Sequence, residues 1–236
     1  MSLQKQIIFH ILLLFGILCL FELTNLDLAL QDHFYIWKCH HWMIDKKDPV
    51  PRLVFYTGLK NLIIVFGCLC FLCWVFSFKI YCLLRYRRFC ILICLALTIV
   101  PGTVAVLKNC SNVYTPSQIK RYGGNYPYVK VFERYPPGFE QRRKGKGWPA
   151  GHASGGFALM MFYYAFTRKR FKMTGLAIGL ITGWTMGIYQ MLKGAHYLSH
   201  TIITMSIAWI LILVIIRAAQ IGPIKDLANS SLSSGE

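Results

Sequence analysis

Six long stretches almost free of charge constrain this chain more than any other feature: residues 7–21, 53–78, 89–107, 155–167, 173–192 and 197–216. A helix needs roughly 20 apolar residues to cross a bilayer, and only a helix or a closed barrel satisfies its backbone there. Most of the stretches approach that length, so the chain reads as an all-α, polytopic membrane protein with six transmembrane helices in a bundle. Charge agrees: Asp, Glu, Lys and Arg make up 15% of the 236 residues, against about 25% in a soluble domain. The net charge of +17 fits either nucleic acid or a membrane surface and phosphates. The apolar runs decide for the membrane, and nucleic acid is not an expected partner. Residues 1–225 read as one membrane-embedded domain, and the Ser-rich 226–236 as a short disordered tail. The first run lacks a small-residue cleavage site after it and reads as a retained helix rather than a signal peptide.

Positive charge marks cytoplasmic loops. Lys79, Arg85, Arg87 and Arg88 lie between the second and third runs, and Arg168, Lys169, Arg170 and Lys172 between the fourth and fifth, with no acid in either group. With six spans, these loops share the cytoplasmic side with both termini. The segment 22–52 is then external, with four basic and five acidic residues. The long loop between helices three and four is external too, yet 108–151 holds nine Lys/Arg against Glu133 and Glu140. Cations on the side that topology disfavours point to a polyanionic substrate. Six of the nine cysteines fall inside apolar runs, where a thiol behaves as a small hydrophobe; only Cys39 and Cys110 have aqueous positions from which a bridge is conceivable. Gly175, Gly179, Gly183 and Gly187 recur every four residues, a stripe that lets membrane helices approach closely.

Three polar clusters stand at run boundaries on the external side: Lys108 with Thr115-Pro116, Pro149-Ala150-Gly151-His152, and Gly194-Ala195-His196-Tyr197-Leu198-Ser199-His200. Ionisable residues at such depth are functional candidates. Between Pro49 and Lys225 the only carboxylates are Glu133 and Glu140, which leaves a two-metal hydrolase short of oxygen ligands and a Ser-His-Asp triad short of its acid. Histidines among cations suit metal-independent phosphoryl transfer, in which one imidazole attacks phosphorus and another protonates the leaving oxygen.

These clusters resemble the three ordered motifs of the type-2 phosphatidic acid phosphatase superfamily, K-x6-R-P, P-S-G-H and S-R-x5-H-x3-D, over roughly residues 95–216. The resemblance implies a six-helix lipid phosphate phosphatase that needs no metal or other cofactor and works at the outer face of the inner membrane, facing the periplasm or exterior. By position it makes His196 the nucleophile, His152 the general acid, and Lys108 and the Gly151 N–H ligands of phosphate. Four positions depart from the pattern: Thr115 for Arg, Ala150 for Ser, Tyr189-Gln190 for Ser-Arg, and His200 for the Asp that orients the nucleophile. His200, one turn after His196, can still accept a hydrogen bond from it. Lys193 and Arg121 are candidate replacement cations for phosphate.

Other readings of the same residues are a lipid phosphotransferase, a phospholipid-binding member without turnover, and a metal site of His196, His200 and His152. A rhomboid-like serine protease on Ser154 would leave Lys108 unexplained. Lys60, about 10 Å into helix two, reads as a snorkelling side chain. The expected substrate is an envelope lipid phosphate of lipid A, undecaprenyl pyrophosphate or phosphatidic acid type; the sequence does not fix the oligomeric state.

Overall fold

The computed structural model describes residues 2–221; the tail expected at 226–236 lies outside them. In chain order the elements are α1 (Leu3–Leu23), α2 (Leu26–Asp32), a two-strand antiparallel hairpin of β1 (Tyr35–Ile36) and β2 (His41–Trp42), α3 (Pro49–Phe76), α4 (Tyr81–Cys110), α5 (151–165), α6 (Lys169–Leu192) and α7 (Leu198–Ile221). Five of these, α1, α3, α4, α6 and α7, are long and apolar enough to cross a membrane. The fourth expected span is not among them. α5 is helical over Gly151–Ala158, tightens to a 3-10 turn at Leu159–Met161 and ends in one more turn, Phe162–Ala165.

Local chemistry fixes the ends. Asp48 accepts the Val50 N–H at 3.0 Å with Pro49 in the first turn of α3, the capping arrangement a helix start favours. Residues Leu53–Gly58 then form a turn of π-helix, a local widening that re-aims side chains.

α5 is the centre of the bundle, packed on α4, α6 and α7, while α1 lies against α7. Ala153, Phe157, Ala158 and Met161 are fully buried there beside Ala96 and Val100 of α4 and Ala208 and Ile212 of α7. Gly175, Gly179 and Gly183 of the expected stripe make the α5–α6 contact, while Gly187 faces Thr201 of α7. A Cβ on Gly156 would sit 2.6 Å from the Gly183 nitrogen, and one on Gly179 would strike the Met160 backbone. Backbones this close exclude every residue with a side chain.

The connections that precede α3, α5 and α7 gather at one end of the bundle. Tyr35, Tyr114, Ile119, Tyr122 and Tyr197 form a second, aromatic core there. Ser117 N–H donates to the Gly194 carbonyl at 2.9 Å, and Gln31 Nε2 to the Met191 carbonyl at 2.8 Å. Segment 111–150 contains two short 3-10 turns, Pro116–Gln118 and Lys120–Tyr122, and a single bridge between Ile119 and Tyr126. All nine cysteines are free, with Cys39 and Cys110 exposed.

Candidate active site

His196 is placed by the turn between α6 and α7. Gly194 bends the chain at φ +70°, a conformation that favours glycine, and a Cβ there would collide with the Trp42 ring. The Gln190 carbonyl accepts the N–H groups of Ala195 at 2.8 Å and His196 at 3.3 Å. The His196 ring is 1% exposed.

Three imidazoles line up in series. His152 Nδ1 lies 3.2 Å from His196 Nε2, and His196 Nδ1 lies 3.3 Å from His200 Nδ1. His196 therefore turns opposite ring nitrogens to its two neighbours. Three ligands of one ion must aim at a common point, so this arrangement does not suit the metal reading, and no cluster of three or more metal-ligating side chains occurs among the described residues. Burial holds His196 well below the ordinary imidazole range, and the nearby His152, His200 and Lys108 act in the same direction. Its ring is neutral at physiological pH and keeps a lone pair. The Gly147 backbone opposes the shift. Gly147 comes this close because its N–H is tied to the Val113 carbonyl at 2.7 Å, where a Cβ would sit 2.8 Å from the same oxygen.

A cavity of about 770 Å³ opens beside His152 between α3, α4 and α5. Its polar end carries Lys60, Lys108, Tyr56 and the first residues of α5, Gly151 and His152; its far end is apolar, running to Phe71 and Leu72. Lys60, which is exposed, is among the residues lining this cavity. Tyr56, on the π-turn of α3, stands with its ring 4.8 Å from that of His152. A Cβ on Gly151 would be 3.9 Å from the Lys108 ammonium, so the second motif's glycine and the first motif's lysine adjoin. Lys193 reaches the same corner, its ammonium 4.5 Å above Tyr189 and 5.5 Å above Tyr56. Lys60, Lys108 and Lys193 all act electrostatically on His152.

Arg121 is placed differently. Its guanidinium is bidentate on Asp32 at 2.9 and 2.6 Å and stacks 5.8 Å over Trp37. It lines neither this cavity nor the smaller one beside His200, so its expected role on phosphate gains no support from this geometry. Thr115 is also engaged, its N–H and hydroxyl both donating to Gln118 Oε1 at 3.0 Å. At the third motif's Arg position, Gln190 is buried, with both amide atoms lacking a hydrogen-bond partner among the described residues.

The family model described as the PAP2 superfamily matches residues 87–221, more than half of the chain. The chain belongs to the PAP2 superfamily. PAP2 superfamily members are generally metal-independent phosphatases acting on phosphate esters. The match contains every motif residue above and leaves α1, α2, the hairpin and α3 outside it. No curated protein and no solved structure matches the chain.

Proposed function

We propose that this chain is an integral membrane phosphatase that removes phosphate from a lipid headgroup through a phosphohistidine. In this reading residues 1–225 are one domain, and α5 is the sixth crossing, short because it is wrapped by protein rather than lipid. Both termini are cytoplasmic, and the histidines face the outside of the cell membrane. The observation that carries the proposal is the direct contact of His152 and His196 at the lysine-rich mouth of a cavity with an apolar interior. A phosphorylated headgroup fits the mouth, and its tail fits the interior. Envelope lipids such as lipid A, an isoprenoid pyrophosphate or phosphatidic acid have this form.

His200 occupies His196 Nδ1, which leaves Nε2 as the attacking nitrogen. Lys108, the Gly151 N–H and Lys193 hold the phosphoryl oxygens as charge builds on them. The N–P bond forms as the P–O bond to the lipid breaks, and the departing oxygen takes a proton from His152, which receives that proton from the incoming phosphate monoanion and is left as the neutral imidazole. A water then gives its proton back to His152 and attacks phosphorus, releasing inorganic phosphate and the free His196. At 3.2 Å the two rings leave no room for a phosphorus atom, so His152 must turn toward Tyr56 when substrate enters.

Phosphate release from a panel of lipid phosphates, with and without EDTA, tests this. His196→Ala and His152→Ala each abolish release, and the chelator leaves the wild-type rate unchanged. Full turnover in both variants, or loss with EDTA, removes the proposal.

A further inference from the structure

A PAP2 site with His200 at its third position lacks the carboxylate that would face the nucleophile, and no acid within residues 87–221 replaces it. The structure brings one from outside that region. Asp27, on α2, is 7% exposed. It accepts the Ser199 N–H at 2.9 Å through Oδ1 and the Ser199 hydroxyl at 2.5 Å through Oδ2. Ser199 is the residue immediately before His200. Each carboxylate oxygen accepts more than one hydrogen bond, so both keep capacity.

Asp27 and His200 also line one small, partly open cavity of about 20 Å³. A cavity needs about 10–15 Å³ and at least two polar partners to hold a water. The other charged groups around it, Lys130 and Glu22, are each held by a backbone group. Lys130 Nζ donates to the Glu22 carbonyl at 2.8 Å, and the Glu22 carboxylate accepts the Val131 N–H at 2.9 Å. Tyr128 and Tyr197 line it as well, among apolar residues such as Leu18, Phe21 and Ile203.

We propose that Asp27 is a positioning residue for the phosphoryl-transfer histidines, acting on His200 through a water in the cavity they share. This rests on the phosphatase reading above. When His196 Nε2 bonds to phosphorus its ring becomes cationic, and its Nδ1–H donates to His200 Nδ1. The His200 Nε2–H donates to the water, and the water donates to the Asp27 carboxylate. No proton leaves the chain of four groups; the carboxylate stabilises the positive ring at its far end. Burial raises Asp27 to about 6, against the lowering effect of its bonds to Ser199 and the charge of Lys130, while Glu22 raises it further. The carboxylate form therefore prevails only above that pH.

The test compares Asp27→Asn in the wild-type chain and in His200→Asp, using full-length protein in phosphatidic acid vesicles. Asn keeps an acceptor for the Ser199 N–H, so the helix start survives. In the wild-type background Asp27→Asn lowers kcat by about tenfold or more with KM unchanged, and it removes an acid limb near pH 6. In His200→Asp, where a carboxylate faces His196 directly, adding Asp27→Asn changes kcat by less than about twofold. An equal loss in both backgrounds makes Asp27 a helix cap and overturns the proposal. The imidazole ¹⁵N resonances of His200 give a readout independent of turnover. They move in Asp27→Asn; unchanged resonances overturn the proposal even if no lipid is hydrolysed. Moved resonances in a protein that releases no phosphate uphold the Asp27–His200 coupling and remove the phosphatase reading instead.

Discussion

Lys193 is the cation whose surroundings most affect what it can do. Burial, reinforced by the nearby Arg52 and Lys46, lowers it to about 8. The charged form, which in the proposed function attracts phosphate, is present below that pH and lost as pH rises through it. Phosphate release therefore declines on the alkaline side of about 8, through a rising KM, and Lys193→Arg moves the decline to higher pH because a guanidinium stays charged. A KM–pH profile of the two proteins checks this. At this scale the histidines were legible in the sequence: the i, i+4 pair and the helix-start His152 are spacing signals, and they meet. Asp27 was not, because its partner lies 172 positions away and a lone acid in a balanced segment looks solvated. Arg121 misled for the converse reason, since nothing local announces its pairing with Asp32.

α5 and α6 are held by absent side chains. Gly179 presses on the Met160 backbone, which cannot rotate aside, whereas a Cβ on Gly16 of α1 would meet nothing within 4 Å. Gly179→Ala costs about 2 kcal/mol through overpacking and lowers the thermal midpoint in detergent, while Gly16→Ala leaves it in place. The apolar runs gave the long helices well, because lipid-facing segments carry their signal in composition. They missed α2 and the hairpin, whose aromatic contacts reach residues distant in sequence. The apolar run at 155–167 begins one turn into α5, whose start at Gly151 is marked instead by the Pro149–His152 cluster.

On the scale of the whole molecule, the cavity between α3, α4 and α5 joins the histidine end to the exposed apolar face of α3 around Phe71 and Leu72. From Lys60 to Phe71 along α3 is about 16 Å at 1.5 Å per residue. Cys68, exposed and lining the cavity, stands part-way along it. Cys68→Trp narrows the far portion without touching the histidines, so hydrolysis of a long-chain lipid phosphate falls by about tenfold, the loss of roughly two buried methylenes. A short-chain analogue is hydrolysed at the wild-type rate, and assays of the two substrates side by side check the contrast.

Under the proposed function, the contact between His152 and His196 gives the idle protein a safety catch. A soluble phosphate that wanders in must part the two rings using its own few polar interactions. Parting them forfeits one hydrogen bond, about 1 kcal/mol net. A lipid supplies that from two methylene groups at about 0.8 kcal/mol each. In the proposed function, discrimination against water-soluble phosphate esters thus begins before any bond to phosphorus changes.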